Sequence, residues 1–199
     1  AKFAKSIDAT KIFDAGDVQA NGFQIVEDDK PGETINEAGA SYMGFAVSAL
    51  VASGIAENPK YSIAFSGDGS FMMNPQVLID AVEHDAFGMI VLFDNRRMAA
   101  ISGLQIDQYQ SEFKTNDSVE VDYIQLASSI KGIATFDGGH SLKTLNEALY
   151  KAHNYKGLSL VYIPVYAGKN EQGGMGAYGS WNVGNWCEAV QAKYLKQNI

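Results

Sequence analysis

Two continuous apolar runs constrain the fold of this chain more than any other feature. Residues 61–65 and 89–93 lack the polar–apolar alternation of a strand with one solvated face. Between them, Asn74 and Pro75 form a helix-start signal and Gly88 ends the helical pattern. Unalternating runs are typical of parallel strands that are covered on both faces. The pattern therefore predicts a strand–helix–strand unit within a parallel sheet.

The rest of the chain continues the same order of strands and helices. The other predicted elements are helices at 43–56, after the N-cap Asp122 and after the N-cap Ser141, and strands at 133–136 and 158–165. No element is predicted before Gly39, and residues 95–120 are predicted to form a long connection without periodicity. We therefore predict an α/β fold, with a doubly wound, mainly parallel sheet and helices on both faces.

The 199 residues are enough for one domain with a substantial core. We predict an N-terminal extension or linker at 1–38, the sheet domain at 39–166, and a tail at 167–199 that contains glycines and tryptophans. The tail is interpreted either as disordered or as a flap over an active site. Because the chain begins at Ala1, it is consistent with processing or with a piece of a longer protein.

Charge and composition exclude several partner classes. The formal net charge of −8 argues against a nucleic-acid or anionic membrane surface. The one cysteine, Cys187, excludes an intramolecular disulfide and is consistent with a reducing compartment. Since no apolar run approaches about 20 residues, we expect no membrane span and a cytoplasmic location.

Polar residues follow both apolar runs, at the points where the predicted strands end. Asp68 and Asn95 lie 27 residues apart and offer a carboxylate and an amide oxygen, which suit Mg²⁺. Gly67 and Gly69 allow the backbone to approach a phosphate, and Ser70 adds a hydroxyl. An Asp-Gly pair after a strand is also a common turn, so the motif alone is weak.

Residues 39–105 resemble the diphosphate-binding domain of thiamine diphosphate enzymes. The resemblance is carried by Gly67-Asp68-Gly69-Ser70-Phe71, then a stretch of under thirty residues, then Asp94-Asn95. It implies thiamine diphosphate and Mg²⁺ as cofactors, with Asp68, Asn95 and the Arg97 backbone carbonyl as metal ligands. The family has Asn-Asn where this chain has Asp94-Asn95, and Asn95 keeps the ligand position.

The same resemblance implies further cofactor contacts. Met43 corresponds to the bulky apolar residue that holds the cofactor in a bent form; from the residues alone, core filling is the more common role of such a methionine. The implied cofactor-binding residues are Ser41, Met43, Gly67, Asp68, Gly69, Ser70, Phe71, Asn95, Met98 and Ala99.

Segments 92–95, 101–105 and 178–184 are similar to the trihydroxycyclohexanedione hydrolase branch of the family, which is related to acetolactate synthase. The resemblance implies decarboxylation, carboligation or hydrolysis of a cyclic dione, on a small carbonyl or 2-oxo-acid substrate. No second Trp follows Trp181, and Arg96-Arg97-Met98 replace small residues, so the substrate stays open. Arg96 and Arg97 could pair with a substrate carboxylate or lie on a solvated loop.

In this family a glutamate on a separate pyrimidine-binding domain activates the cofactor. The roughly forty residues before Gly39 are too few for such a domain. We therefore expect a partner domain or subunit that supplies the glutamate, a homo- or hetero-oligomer, and little activity from this chain alone. The alternatives are a non-catalytic binding or regulatory module with a decayed site and, less favoured, a flavodoxin-like nucleotide binder.

Overall fold

The computed structural model describes residues 1–37, 39–115 and 119–165. Six strands form one sheet in the order β2-β1-β3-β4-β6-β5, and every neighbouring pair is parallel. The strands are β1 (Thr10–Phe13), β2 (Thr34–Asn36), β3 (Ser62–Gly67), β4 (Gly88–Asp94), β5 (Ala134–Asp137) and β6 (Leu158–Pro164).

The described residues also form helices between and around the strands of the sequence. They are α1 (Lys2–Ser6), α2 (Asp17–Ile25), α3 (Phe45–Gly54), α4 (Asp68–Phe71), α5 (Val77–Glu83), α6 (Ala99–Tyr109), α7 (Tyr123–Ser128) and α8 (Leu142–His153). Side chains of α3, α5 and α7 pack into one apolar cluster with the sheet, and those of α1, α2 and α8 pack into a second. The predicted doubly wound α/β fold is confirmed.

The central strands explain the unalternating apolar runs. In β3, Ala64 packs into the first cluster, whereas Ile63 and Phe65 pack into the second. In β4, Ile90 packs into the first and Val91 into the second. Because both faces of each strand are buried, every position favours an apolar side chain.

The expectation of no element before Gly39 is wrong, because residues 1–38 contribute β1 and β2 to the sheet. β1 pairs with β3, with Phe13 opposite Phe65. A buried lysine hides this strand in the sequence: Lys11 is 1% exposed, and its Nζ lies 2.7 Å from an Asp28 carboxylate oxygen. A strand of four residues with a charge inside it carries no apolar pattern.

Two of the three predicted helix N-caps are confirmed. The Asp122 side chain accepts a hydrogen bond from the Gln125 amide at 2.8 Å, and Ser141 forms a capping box with Thr144. The third, at Asn74, is wrong, because α5 begins at Val77. The side-chain amide nitrogen of Asn74 donates to Ser48 Oγ at 3.2 Å. Asn74 therefore ties its turn to α3 instead of capping α5.

The chain divides into two units. The first contains residues 1–95 and 121–165; the described part of the second is 96–115 and 119–120. The second unit contains α6 within the segment predicted to be a connection. Since Ile101 and Ile106 are both exposed, α6 has no apolar face that periodicity could detect.

The predicted tail at 167–199 lies outside the described residues. Among the helices of the described ranges, none is long and apolar enough to cross a bilayer.

Candidate functional site

Adjacent parallel strands place Asp68 and Asn95 at the same edge of the sheet. In the register of β3 and β4, Gly67 lies opposite Phe93. Asp68 directly follows Gly67, and Asn95 comes two residues after Phe93. Ligands of open α/β sheets bind beyond this carboxyl edge. The structure therefore brings the two predicted oxygen ligands to the ends of neighbouring strands.

Residues 67–70, here called the Asp68 turn, are the last residue of β3 and the first three residues of the short helix α4. Asp68 and Ser70 are each 4% exposed. The following residue, Phe71, is 1% exposed and meets the Tyr123 ring edge to face, with centroids 6.0 Å apart. The side chain of Phe71 thus anchors the turn in the core.

Residues 41–44, here called the Met43 loop, contact the Asp68 turn. A Cβ placed on Gly69 would lie 3.1 Å from the methyl carbon of Met43. Gly44 has a φ of +91°, and a Cβ there would lie 3.4 Å from the Ser70 carbonyl oxygen. Glycines at these positions allow the loop and the turn to approach each other closely. Met43 is half-buried, so it is not a simple core residue.

Glu37 and Gln19 hold the Met43 loop from its N-terminal side. The Glu37 carboxylate accepts hydrogen bonds from the backbone amides of Ala40 at 2.9 Å and Tyr42 at 3.4 Å. These amides, Ala40 first, lower the pKa of Glu37 below its usual range. Ser41 is exposed, has a φ of +51°, and its hydroxyl donates to Gln19 Oε1 at 3.4 Å.

Asp14 is a buried residue of this edge that the sequence analysis missed. It follows β1 and is fully buried. Its Oδ1 accepts hydrogen bonds from the amides of Gly44 and Ala15, each at 2.9 Å, and its Oδ2 accepts one from Ser66 Oγ at 2.8 Å. An aspartate directly after a strand is the signal that also marks Asp68, but it could be used only once β1 had been recognised.

Asp94, the departure from the Asn-Asn pair, has a structural partner. The Tyr162 hydroxyl donates to Asp94 Oδ2 at 2.9 Å, and the Val165 amide donates to the Asp94 carbonyl oxygen at 2.9 Å. Asp94 is 6% exposed. Its carboxylate therefore helps to join the ends of β4 and β6.

In the second unit, the side chain of Arg97 is engaged within the chain. Its Nε donates to Ser102 Oγ at 3.0 Å, and its guanidinium forms an ion pair with Glu112. Ser102 Oγ donates in turn to Thr115 Oγ1 at 2.6 Å, and the Met98 amide donates to the Thr115 carbonyl at 2.8 Å.

The other predicted residues of this unit lie beside Arg97. Ala99 is the first residue of α6. Arg96 reaches Glu120 at 3.9 Å. Both arginines therefore have acidic partners inside the unit. Their positive charges are explained by these partners, without a substrate carboxylate.

A model of one protein family matches residues 14–163 and is described as the thiamine pyrophosphate enzyme, C-terminal TPP binding domain. The chain belongs to this family. Thiamine pyrophosphate is another name for thiamine diphosphate. The match begins at Asp14, well before the boundary predicted at Gly39.

Similar curated proteins include a hydrolase from two organisms and a subunit of a synthase. The 3D-(3,5/4)-trihydroxycyclohexane-1,2-dione hydrolase of Lacticaseibacillus casei is 32% identical over 90% of this chain and 28% of that protein. The same hydrolase from Shouchella clausii is 30% identical over 89% of this chain and 28% of that protein. The large subunit of acetolactate synthase isozyme 2 from Escherichia coli is 31% identical over 63% of the chain and 23% of that subunit.

A solved structure has the same fold. The thiamine diphosphate-dependent 4-hydroxybenzoylformate decarboxylase of Rhodococcus jostii RHA1 superposes with a TM-score of 0.72 at 18% identity, over 82% of this chain and 30% of that chain. The chain spans little more than a quarter of the length of the two hydrolases described above.

Proposed function

We propose that this chain binds the Mg²⁺–diphosphate end of thiamine diphosphate, as one domain or subunit of an enzyme that makes or breaks C–C bonds next to a carbonyl. The observation that carries the proposal is the contact of the Met43 methyl with Gly69, beside the strand ends that bear Asp68 and Asn95. A half-buried methionine against a glycine turn suits a ligand with one apolar part and one phosphate part.

In this proposal, the metal ligands are the side chains of Asp68 and Asn95 and the backbone carbonyl of Arg97. Mg²⁺ takes few protein ligands and completes its shell with phosphate oxygens and water. The backbone and hydroxyl groups of the Asp68 turn bind the diphosphate, and Met43 supports the cofactor rings. The other proposed cofactor contacts are Ser41, Phe71 through its backbone, Met98 and Ala99.

When bound, the cofactor would supply an electron sink for the electron pair that is left on the carbonyl carbon when the neighbouring C–C bond breaks. The residues of this chain bind and orient it, and the activating glutamate comes from a pyrimidine-binding domain or subunit. We propose a cytoplasmic homo- or hetero-oligomer acting on a small carbonyl or 2-oxo acid. The reaction is a decarboxylation, an acetolactate synthase-like carboligation or the hydrolysis of a cyclic dione.

Calorimetry with thiamine diphosphate, with and without Mg²⁺, tests the binding proposal. The chain, supplied with a pyrimidine-binding partner if it needs one, should bind the cofactor only with the metal. Asp68→Ala should abolish binding, because it removes the charged metal ligand. Asp137→Ala is the matched control, since Asp137 also ends a strand but lies at the far edge of the sheet. Equal binding by wild type and Asp68→Ala would refute the proposal.

A steady-state assay tests the need for a partner. We expect little turnover from this chain by itself and normal turnover only with the pyrimidine-binding partner. Normal turnover by the chain alone would contradict this expectation. Binding without turnover, even with the partner, would favour the non-catalytic module. The contact of Asp94 with Tyr162 weakens that alternative, since it gives the unusual Asp94 a structural reason.

A further inference from the structure

Among the described residues of the first unit, Asp14 is the one acidic residue at the carboxyl edge of the sheet with no exposed surface. A buried carboxylate is tolerated when its oxygens accept hydrogen bonds or meet a cation. In the described part of the chain, Asp14 has no ion pair and accepts three hydrogen bonds instead. The three donors therefore account for its presence there.

Two of these donors come from segments that are distant in the sequence. Gly44 is 30 residues from Asp14 and directly follows Met43. Ser66 is 52 residues from Asp14 and precedes the Asp68 turn by one residue. A single carboxylate thus joins the Met43 loop to the strand that carries the Asp68 turn.

The loop and the turn approach each other closely beside this link. A Cβ placed on Gly44 would lie 3.1 Å from Met73 Cβ. A Cβ placed on Gly69 would lie 3.1 Å from the methyl carbon of Met43. Preorganised contacts raise affinity because less ordering is left for the binding step.

We propose that Asp14 is a positioning residue that fixes the Met43 loop against the Asp68 turn and thereby sets the affinity of the chain for thiamine diphosphate. The inference rests on the proposed function, and it adds a residue that itself touches neither metal nor cofactor.

Only a carboxylate can accept from all three donors at once. In Asp14→Asn, the amide oxygen still accepts from Gly44 and Ala15, while the amide nitrogen faces Ser66. Ser66 can rotate its proton toward the Gly67 carbonyl, 3.3 Å away, and accept from the new amide. Asp14→Asn should therefore retain part of the link, whereas Asp14→Ala removes all of it.

The test measures thiamine diphosphate affinity at saturating Mg²⁺ by calorimetry, well below the melting temperature, together with amide hydrogen exchange at Gly44. Asp14→Ala should weaken binding by about tenfold or more, which corresponds to one hydrogen bond to a charged group. Asp14→Asn should lie between Asp14→Ala and wild type, and Gly44 exchange should quicken in the same order.

Two serine variants separate positioning from general loss of stability. Ser66→Ala removes one arm of the link and should weaken binding. Ser159→Ala removes an equally buried strand hydroxyl, which donates to the Gly88 carbonyl at 3.1 Å, and should leave the affinity within about twofold. If Asp14→Ala does not fold, Ser66→Ala and Asp14→Asn decide the question.

The outcomes distinguish the inference from the proposed function. Wild-type affinity in folded Asp14 and Ser66 variants would overturn the inference and leave the proposed function intact. An equal loss of affinity in Ser159→Ala would also overturn it, because the effect would then be general. A wild-type chain that binds no thiamine diphosphate, even with the pyrimidine-binding partner, would overturn both.

Discussion

The Met43 loop and the Asp68 turn differ from segment 96–115 in what holds them in place, although both regions carry residues proposed to bind the cofactor. The loop and the turn are positioned through their backbone groups: by strand register, by two glycines, and by loop amides that donate to the carboxylates of Asp14 and Glu37. Segment 96–115 is held by side chains, with Arg97 bonded to Glu112 and Ser102, and Gln105 accepting from the Phe113 amide at 2.7 Å.

This difference sets how each region should respond to substitution. A backbone-positioned site is disturbed mainly where a glycine or a buried acceptor is changed. A segment positioned by side chains can lose its order through one ionic substitution, because breaking a buried ion pair leaves a charge without its main partner. The predictions below test this contrast.

The largest effect should follow from Arg97→Ala. The Glu112 side chain is only 8% exposed, so loss of the guanidinium removes the cation from a buried carboxylate. We expect α6 to lose about 3 kcal/mol of protection against local opening, measured by amide hydrogen exchange.

Arg96→Ala is the control for this prediction, because Arg96 pairs at 3.9 Å with Glu120, whose side chain is 83% exposed. Such an exposed pair contributes about 0–1 kcal/mol. Similar losses of α6 protection in the two variants would show that the Arg97–Glu112 pair does not order the segment.

A smaller effect should follow from Gly44→Ala in the Met43 loop. The φ of +91° strains an alanine, and its Cβ would meet Met73 Cβ at 3.1 Å. Gly32 has a similar φ of +86°, but no atom lies within 4 Å of a Cβ placed there. Gly32→Ala therefore measures the backbone strain alone. We expect about 1 kcal/mol of destabilisation for Gly32→Ala and about 2 kcal/mol for Gly44→Ala, by urea denaturation. Equal values would mean that the loop yields without disturbing the turn.

The smallest effect should be a pH dependence of the Met43 loop. Backbone amides lower the pKa of Glu37 in the folded chain from an unfolded value of 4.5. A lowered folded pKa means that the stabilisation is complete above pH 4.5 and is lost as the pH falls through the folded value. The amides of Ala40 and Tyr42 should therefore lose protection below pH 4.5. Glu37→Gln should abolish this pH dependence, and the exposed Glu57→Gln should keep it.

The sequence predicted the parts of the fold in which one local signal is sufficient. The apolar runs identified β3 and β4, and Asp122 and Ser141 marked two helices, because burial and capping act within a few residues. β1 was missed because Lys11 is neutralised by acidic residues from outside the strand, a long-range arrangement. α6 was missed because its order comes from hydrogen bonds with residues 112–115.

For the candidate site, the sequence likewise predicted only the residues that stand in short local motifs. Asp68, Asn95 and Met43 stand in short motifs, and the structure places them at one edge of the sheet. Asp14 belongs to no such motif in the sequence, since two of its three donors are 30 and 52 residues away. The partners of Asp94 and Arg97 were also invisible, because each is a side chain from another segment.

A crystal structure of the chain with thiamine diphosphate and Mg²⁺ bound tests the central claim most directly. The account predicts the metal at about 2.1 Å from an Asp68 carboxylate oxygen, the Asn95 amide oxygen and the Arg97 carbonyl oxygen, with the diphosphate against the Asp68 turn. A cofactor bound elsewhere, or a metal that contacts neither Asp68 nor Asn95, would contradict it.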